Sequence, residues 1–334
     1  MLAPGRAERP DAFAPAVAES RPEAAGTCPF CDGREDRTPP EVWADRPGGG
    51  PSDSPGWRVR SVPNLYPAFA ESPAASERSP ESGLSSSVDP LASSNREGAP
   101  DLFAAQPAEG THEVIVSTPR HETSLGGLSD EELAVALEGW RTRMRAIAGD
   151  SSYVHLIVNE GPQAGASLEH THAQLYGLRF VPAEVARERE RAGAYHQRTM
   201  GAHLLEDVAT QEVRRRERMV AIDDEAILLA PWASSSPFEL RIVPRRPAPA
   251  FEAAGEGGAA MLATALRGLA GVFGTLPQLN LWVRTAPRDA EEFGWHLDIV
   301  PRLTIRAGFE QGTGVDINTY PPERAAADLR EALG

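Results

Sequence analysis

Cysteine is almost absent. Only Cys28 and Cys31 occur in 334 residues, which argues against a secreted, disulfide-stapled scaffold. No window approaches the run of about 18 apolar residues that a membrane-spanning helix needs. The opening residues 1–10 lack an apolar signal segment, so a cytoplasmic location is the expectation. Positive charge is also in deficit. A formal net charge of −15 argues against a general nucleic-acid surface, which is normally basic. It leaves room for a small anionic ligand, because a few arginines and backbone donors bind phosphate whatever the global sign. A hydrophobic content of 41% over this length suffices for one large or two medium soluble domains.

Residues 1–55 are rich in Pro, Gly and charge and show little periodicity. Cys28-Pro29-Phe30-Cys31 within them has three readings: a redox dithiol, half of a zinc site, or coincidence. The Pro and Gly surroundings, with no strand-to-helix pattern, favour a tight-turn zinc half-site over a redox pair. Such a site needs two further ligands from elsewhere. Residues 57–69 predict a short strand and a Pro-limited turn. From about 70 to 108 Ser, Pro, Ala, Glu and Asp dominate, predicting a mobile insertion. Order returns with a strand over 112–117. Ser129-Asp-Glu-Glu132 is a capping box opening a helix whose apolar seam is Leu133, Leu137, Trp140, Met144 and Ile147. A second strand covers 153–158; His155 within it is expected to be a core residue or one that supports the site from behind, rather than a catalyst. Residues 182–218 have helical propensity, with His196 and His203 seven apart and able to share a face.

The second part of the chain repeats the first. Phe238 to Pro244 resembles His112 to Pro119, a helix with Met261, Leu262, Ala265, Leu266 and Leu269 follows, and Leu279 to Arg284 echoes 153–158. Trp295-His-Leu-Asp-Ile-Val300 then stands where Glu169-His-Thr-His-Ala-Gln174 stood, about 125 residues earlier. Two similar α+β halves are expected, each an antiparallel sheet with packed helices: 1–181, and 182–334 as a degenerate copy. The tail around Gly308, Gly312 and Gly314 reads as a Gly-rich loop before a last helix that starts at Pro321-Pro-Glu.

His170 and His172 alternate on one side of an extended segment, with Gln174 two residues beyond. Imidazole near neutrality serves as nucleophile, base or metal ligand; the plainer reading is a polar-faced strand with two ordinary histidines. Several stretches together resemble the galactose-1-phosphate uridylyltransferase family of the histidine-triad superfamily: Arg6-Ala-Glu-Arg9-Pro10, Cys28-x-x-Cys31, Ser117-Thr-Pro-Arg-His121 and Asn159-x-Gly-x-x-Ala-Gly165-x-Ser167-x-x-His170-x-His172-x-Gln174. Pro231 to Glu239, and Trp295 through Asn318, add to the likeness in the second half.

That resemblance implies a structural Zn2+ on Cys28, Cys31, His121 and His170, supplying the two ligands the cysteine pair lacks. It implies His172 as the nucleophile of a ping-pong transfer, with Gln174 and Ser167 contacting the transferred phosphoryl group. Arg6, Arg9, Asn64, Asn159 and Gly165 match positions near the nucleotide, and Glu310 and Asn318 match the hexose side. The activity implied first is UMP transfer between a nucleotide sugar and a hexose 1-phosphate, in galactose metabolism, by a homodimer. Alternatives are an ADP-glucose or dinucleotide phosphorylase using the same histidine, and a non-catalytic zinc-stabilised nucleotide-binding protein. Gln174 stands where the hydrolase branch has a histidine, which disfavours hydrolysis. Some members carry a second metal site with a Glu and three His; here His296 survives and Asp298 replaces a histidine, so that site is expected to be absent or altered. The chain also begins inside the family's first conserved segment, so its opening strand is expected either upstream of the given start or missing.

Overall fold

The computed structural model describes residues 1–2, 26–70, 108–246, 248–255 and 257–334. Ten strands form one continuous sheet in the order β1-β2-β3-β5-β4-β9-β10-β8-β7-β6. They are β1 (Trp43–Asp45), β2 (Val59–Pro63), β3 (Gly110–Val116), β4 (Tyr153–Glu160), β5 (His172–Leu178), β6 (Met219–Ile222), β7 (Ala226–Leu229), β8 (Leu240–Pro244), β9 (Leu279–Arg284) and β10 (His296–Pro301). All neighbours pair antiparallel. The order reads alike from either edge when β1 to β5 are matched with β6 to β10. The expected separate sheets are thus one sheet, because β4 and β9 hydrogen-bond across the middle, with Val158 opposite Leu281 and Asn159 opposite Asn280.

The helices are α1 (Asp130–Ala148), α2 (Ala183–Thr199), α3 (Leu204–Arg215), α4 (Ala259–Phe273), α5 (Gly308–Thr313) and α6 (Pro322–Leu333). The capping box at α1 forms as its sequence predicts: Glu132 N–H donates to Ser129 Oγ, and Ser129 N–H donates to Glu132 Oε2 at 2.8 Å. Its seam from Leu133 to Ile147 is buried. α1, α4 and α6 supply Trp140, Leu266 and Leu329 to one apolar core that also takes Leu156 and Val158 from β4 and Leu281 from β9. Alternation along β5 sends Ala173 and Leu175 into this core. His172, Gln174 and Tyr176 therefore stand on the opposite face.

Three expectations differ from the structure. His196 and His203 do not share a helix face: Met200 at φ 59° and Gly201 at φ 115° end α2, and His203 is the residue that precedes α3. The Gly-rich tail contains the short helix α5, closed by Gly314 at φ 69°. β1 arises in a stretch without periodicity because its backbone pairs with β2. The insertion expected near 70–108 falls on residues 71–107, outside the described residues. Its flanks meet, with Ala70 N–H donating to the Ala108 carbonyl at 3.1 Å.

A sheet fused through β4 and β9 should unfold as one unit. Leu281→Ala, at a fully buried seam position, is expected to cost about 2–5 kcal/mol. In urea titrations its near- and far-ultraviolet dichroism should still coincide in one shifted transition; two separated transitions would show independent halves.

Candidate functional site

The segment that joins β4 to β5 builds the site. β4 ends at Glu160, and Gly161 (φ 85°) starts a turn over Pro162–Ala164 that Gly165 (φ 86°) completes. A left-handed φ at both positions suits glycine. The chain returns through Ser167, which is exposed, to His170 and His172, which are buried. Asn159 in β4 accepts a hydrogen bond from Asn280 Nδ2 at 2.8 Å, which ties the turn to β9.

Cys28, Cys31, His121 and His170 converge from three separate stretches, and their ligand atoms all lie within 4.8 Å of one another. Cys28 Sγ is 3.4 Å and Cys31 Sγ 3.8 Å from His170 Nδ1; Cys31 Sγ is 3.5 Å from His121 Nδ1. Zinc bonds of about 2.3 Å to sulfur and 2.0–2.1 Å to nitrogen in a tetrahedron place S and N about 3.6 Å apart. The donor set fits such an ion. His170 Nε2–H donates to the Thr118 carbonyl at 2.9 Å, so Nδ1 turns its lone pair to the thiols, as a metal-ligating imidazole requires. Burial lowers the pKa of His170 to about 4, which keeps it neutral. Burial and then the neighbouring Cys28 push the Cys31 thiol up to about 11. A bound cation reverses that preference by favouring thiolate.

His172 is organised differently. Its Nδ1–H donates to the carbonyl of His170 at 2.7 Å, which assigns the lone pair to Nε2. Burial lowers its pKa, and the bond to the His170 carbonyl opposes that shift in part. The ring is thus neutral with a free nucleophilic nitrogen. Phe30 links the two clusters: it lies between the two cysteines in sequence, and its ring meets that of His172 edge-on at 5.3 Å. Thr171, between the histidines, is held from two directions. Its N–H donates to the Glu122 carbonyl at 2.7 Å, and its hydroxyl donates to Glu160 Oε1 at 3.0 Å. Glu160, buried, also accepts from Leu125 N–H at 2.5 Å and from Ser124 Oγ at 2.7 Å. Three donors satisfy a carboxylate that would otherwise be costly to bury.

Gln174 Oε1 accepts from Tyr176 OH at 2.9 Å and lies 3.2 Å from His112 Nε2. Asn64 stands behind the same imidazole, with Nδ2 at 3.1 Å from His112 Nε2, and its Oδ1 accepts from Tyr66 N–H. Arg6 and Arg9 lie outside the described residues. Asn318 is buried in the other half: its Nδ2 donates to Ser234 Oγ and its Oδ1 accepts from Tyr320 N–H. Glu310 Oε2 accepts from Ala307 N–H at the start of α5. Sequence reasoning missed Phe30, His112, Glu160 and Tyr176. Tyr176 was findable, since it continues the period of two from His172 and Gln174. The contacts of Phe30 and Glu160 depend on chain segments far away in sequence.

In the second half, His296 repeats the geometry of His172, with Nδ1 3.3 Å from the carbonyl two residues before it, that of Gly294. Asp298 therefore stands in the place of Gln174 and not, as the sequence repeat implies, in that of His172. The neighbours of His296 differ. Asp298 is buried and takes Arg241 Nε at 2.6 Å and Trp282 Nε1 at 3.0 Å, with Arg241 pulling its pKa far below the carboxylate range against the cost of burial. Glu188 lies 3.6 Å from His296 Nε2 and 3.4 Å from Arg284 Nε. Arginine thus supplies the positive charge among these carboxylates.

Residues 64–182 match the family model for the N-terminal domain of galactose-1-phosphate uridyl transferase. The ADP-glucose phosphorylase of Arabidopsis thaliana is 28% identical over 346 aligned positions, covering 99% of this chain and 89% of that protein. A galactose-1-phosphate uridylyltransferase of Cryptococcus neoformans is 30% identical, but over 47% of this chain and 43% of its own length. The crystal structure of the Arabidopsis ADP-glucose phosphorylase with bound ADP-glucose superposes with TM-score 0.76 at 25% identity, covering 99% of this chain and 94% of that one. A uridylyltransferase structure at 24% identity shares the fold, with TM-score 0.74 over 95% of this chain and 94% of its own. Motif residues, geometry and relatives converge: the chain carries a histidine-triad-like nucleotidyltransferase domain related to galactose-1-phosphate uridylyltransferase.

Proposed function

We propose that this protein is a nucleotidyltransferase that works through a nucleotidyl-histidine at His172, and that its donor is ADP-glucose with inorganic phosphate as acceptor. The observation that carries the chemistry is the 2.7 Å bond from His172 Nδ1–H to the His170 carbonyl, which leaves Nε2 unprotonated. The donor choice rests on sequence likeness to an ADP-glucose phosphorylase over 99% of this chain, against sequence likeness to uridylyltransferases over part of it, although the fold is shared with both along almost the whole chain. The uridylyl preference of the sequence motifs therefore gives way to the adenylyl one.

In the first step His172 Nε2 attacks the α-phosphorus. A P–N bond forms, the P–O bond to the second phosphate breaks, and glucose 1-phosphate leaves with the electron pair. In the second step a phosphate oxygen attacks the same phosphorus, the P–N bond breaks, and ADP leaves with neutral His172 restored. A covalent intermediate divides one difficult transfer into two easier ones. Gln174 and Ser167 donate to the non-bridging oxygens as charge builds. Asn64, Asn159 and Gly165 line the nucleotide side, with Arg6 and Arg9 contributing charge to the phosphates. Glu310 and Asn318 belong to the sugar side only if their present partners yield. Zinc held by Cys28, Cys31, His121 and His170 would supply a structural clamp and no reacting group.

The two strand sets form duplicated histidine-triad-like units, 1–181 catalytic and 182–334 degenerate. The matching strand order and the shared His172–His170 and His296–Gly294 contacts support this division. A homodimer belongs to the same reading.

Incubation with ADP-glucose and no acceptor should add the mass of one AMP to the intact protein, and His172→Ala should abolish the gain. An adduct from UDP-glucose instead would restore the uridylyl reading, and none from either sugar would refute transfer. Elemental analysis should find about one zinc per chain, lowered by Cys28→Ser; an active protein free of zinc would refute the four-ligand clamp.

A further inference from the structure

His112 has no part in the chemistry above, yet it is buried against Gln174 and bonded on both ring nitrogens. Ala68 N–H points at Nδ1 from 3.0 Å. A backbone amide can only donate, so Nδ1 must carry the lone pair and Nε2 the proton. Nε2–H then donates to Gln174 Oε1 at 3.2 Å, where Tyr176 OH also donates at 2.9 Å. The Tyr176 ring stacks on the imidazole with centroids 4.2 Å apart, which holds the plane of His112. Burial lowers the pKa of His112, in keeping with a neutral ring.

The alternative tautomer fails on two contacts. With the proton on Nδ1, two N–H groups would face each other at Ala68, and Gln174 Oε1 would meet a lone pair. It would satisfy only Asn64 Nδ2, whose orientation is set by Tyr66 N–H on its oxygen. In the favoured form one donor–donor opposition remains, Asn64 Nδ2 facing Nε2–H at 3.1 Å, against two unfavourable contacts in the alternative.

We propose that His112 is a positioning residue: as the Nε2–H tautomer it claims the amide oxygen of Gln174 and so turns the amide nitrogen toward the reacting group. A glutamine can present either end of its amide, and only one end suits a phosphoryl oxygen, which accepts hydrogen bonds. Two donors on Oε1 remove that choice before substrate arrives, so the donor is in place without reorganisation in the transition state. The site thereby selects an anionic group with acceptors only. This inference rests on the nucleotidyl-transfer reading for what Gln174 donates to, but not for the tautomer itself.

Two measurements test it. In 15N-imidazole NMR of the unmodified protein, His112 should show a protonated Nε2 and a bare Nδ1; a protonated Nδ1 would overturn the relay whether or not the protein turns over. In single-turnover formation of the nucleotidyl-histidine, His112→Phe keeps the stack on Tyr176 and removes both nitrogens. It should slow the reaction by up to about a hundredfold, the scale for losing one preorganised donor. Gln174→Ala should slow it as much, and the double variant no further, because the two residues act as one unit. Additive losses, or an unchanged rate in His112→Phe, would overturn the proposal. A wild-type protein that forms no adduct with ADP-glucose or UDP-glucose refutes the transfer reading, and the tautomer then judges the relay alone.

Discussion

His170 holds the site together because three of its polar atoms have three different tasks. Nδ1 faces the two thiols, Nε2–H is anchored on the Thr118 carbonyl, and the backbone carbonyl receives Nδ1–H of His172. Displacing this residue would loosen the Cys2His2 cluster and free the tautomer of His172 at once. The surrounding structure resists that displacement. Thr171 is tied to Glu122 and Glu160, Phe30 packs on both imidazoles, and β5 is held on either side by β3 and β4. The nucleophilic role proposed for His172 needs such a frame, because its lone pair would have to meet phosphorus in one orientation.

The two faces of the sheet divide the labour. Ala173 and Leu175 bury themselves under the helices, and the alternate residues His172, Gln174 and Tyr176 carry polar atoms. The second half keeps the backbone plan and changes the chemistry. At Asp298 a carboxylate replaces the amide of Gln174, and Arg241 and Trp282 bind it so fully that little hydrogen-bonding capacity remains for a ligand. All 33 basic residues of the chain are arginine. Its planar fork suits both such buried carboxylates and phosphate oxygens.

Much of this was legible before the structure, for reasons that can be named. The α1 capping box and seam are local patterns, so they appear in the fold as written. A recurring order of strand, helix and strand was readable in the sequence, and the strand order of the single sheet reads alike from either edge. The metal cluster was only half legible. Cys28 and Cys31 announce themselves by proximity, but His170 lies 142 residues from Cys28 and His121 lies 90 from Cys31, so only family resemblance could supply them. The fusion of the halves into one sheet was not visible, because nothing in the apolar run of β4 says that its outer edge pairs with β9. His112, Glu160 and Phe30 escaped for the same reason. Each matters through a partner that only the fold brings near.

If His172 attacks through Nε2 while Nδ1 remains tied to the His170 carbonyl, the nucleotidyl group must be carried on Nε2. The direct measurement is the position of the covalent link, read by tandem mass spectrometry of the trapped adduct and by 31P–15N coupling in protein labelled in its imidazole rings. A phosphoramidate on His172 at Nε2 is the expected result. A link through Nδ1, or on any other residue, would contradict it.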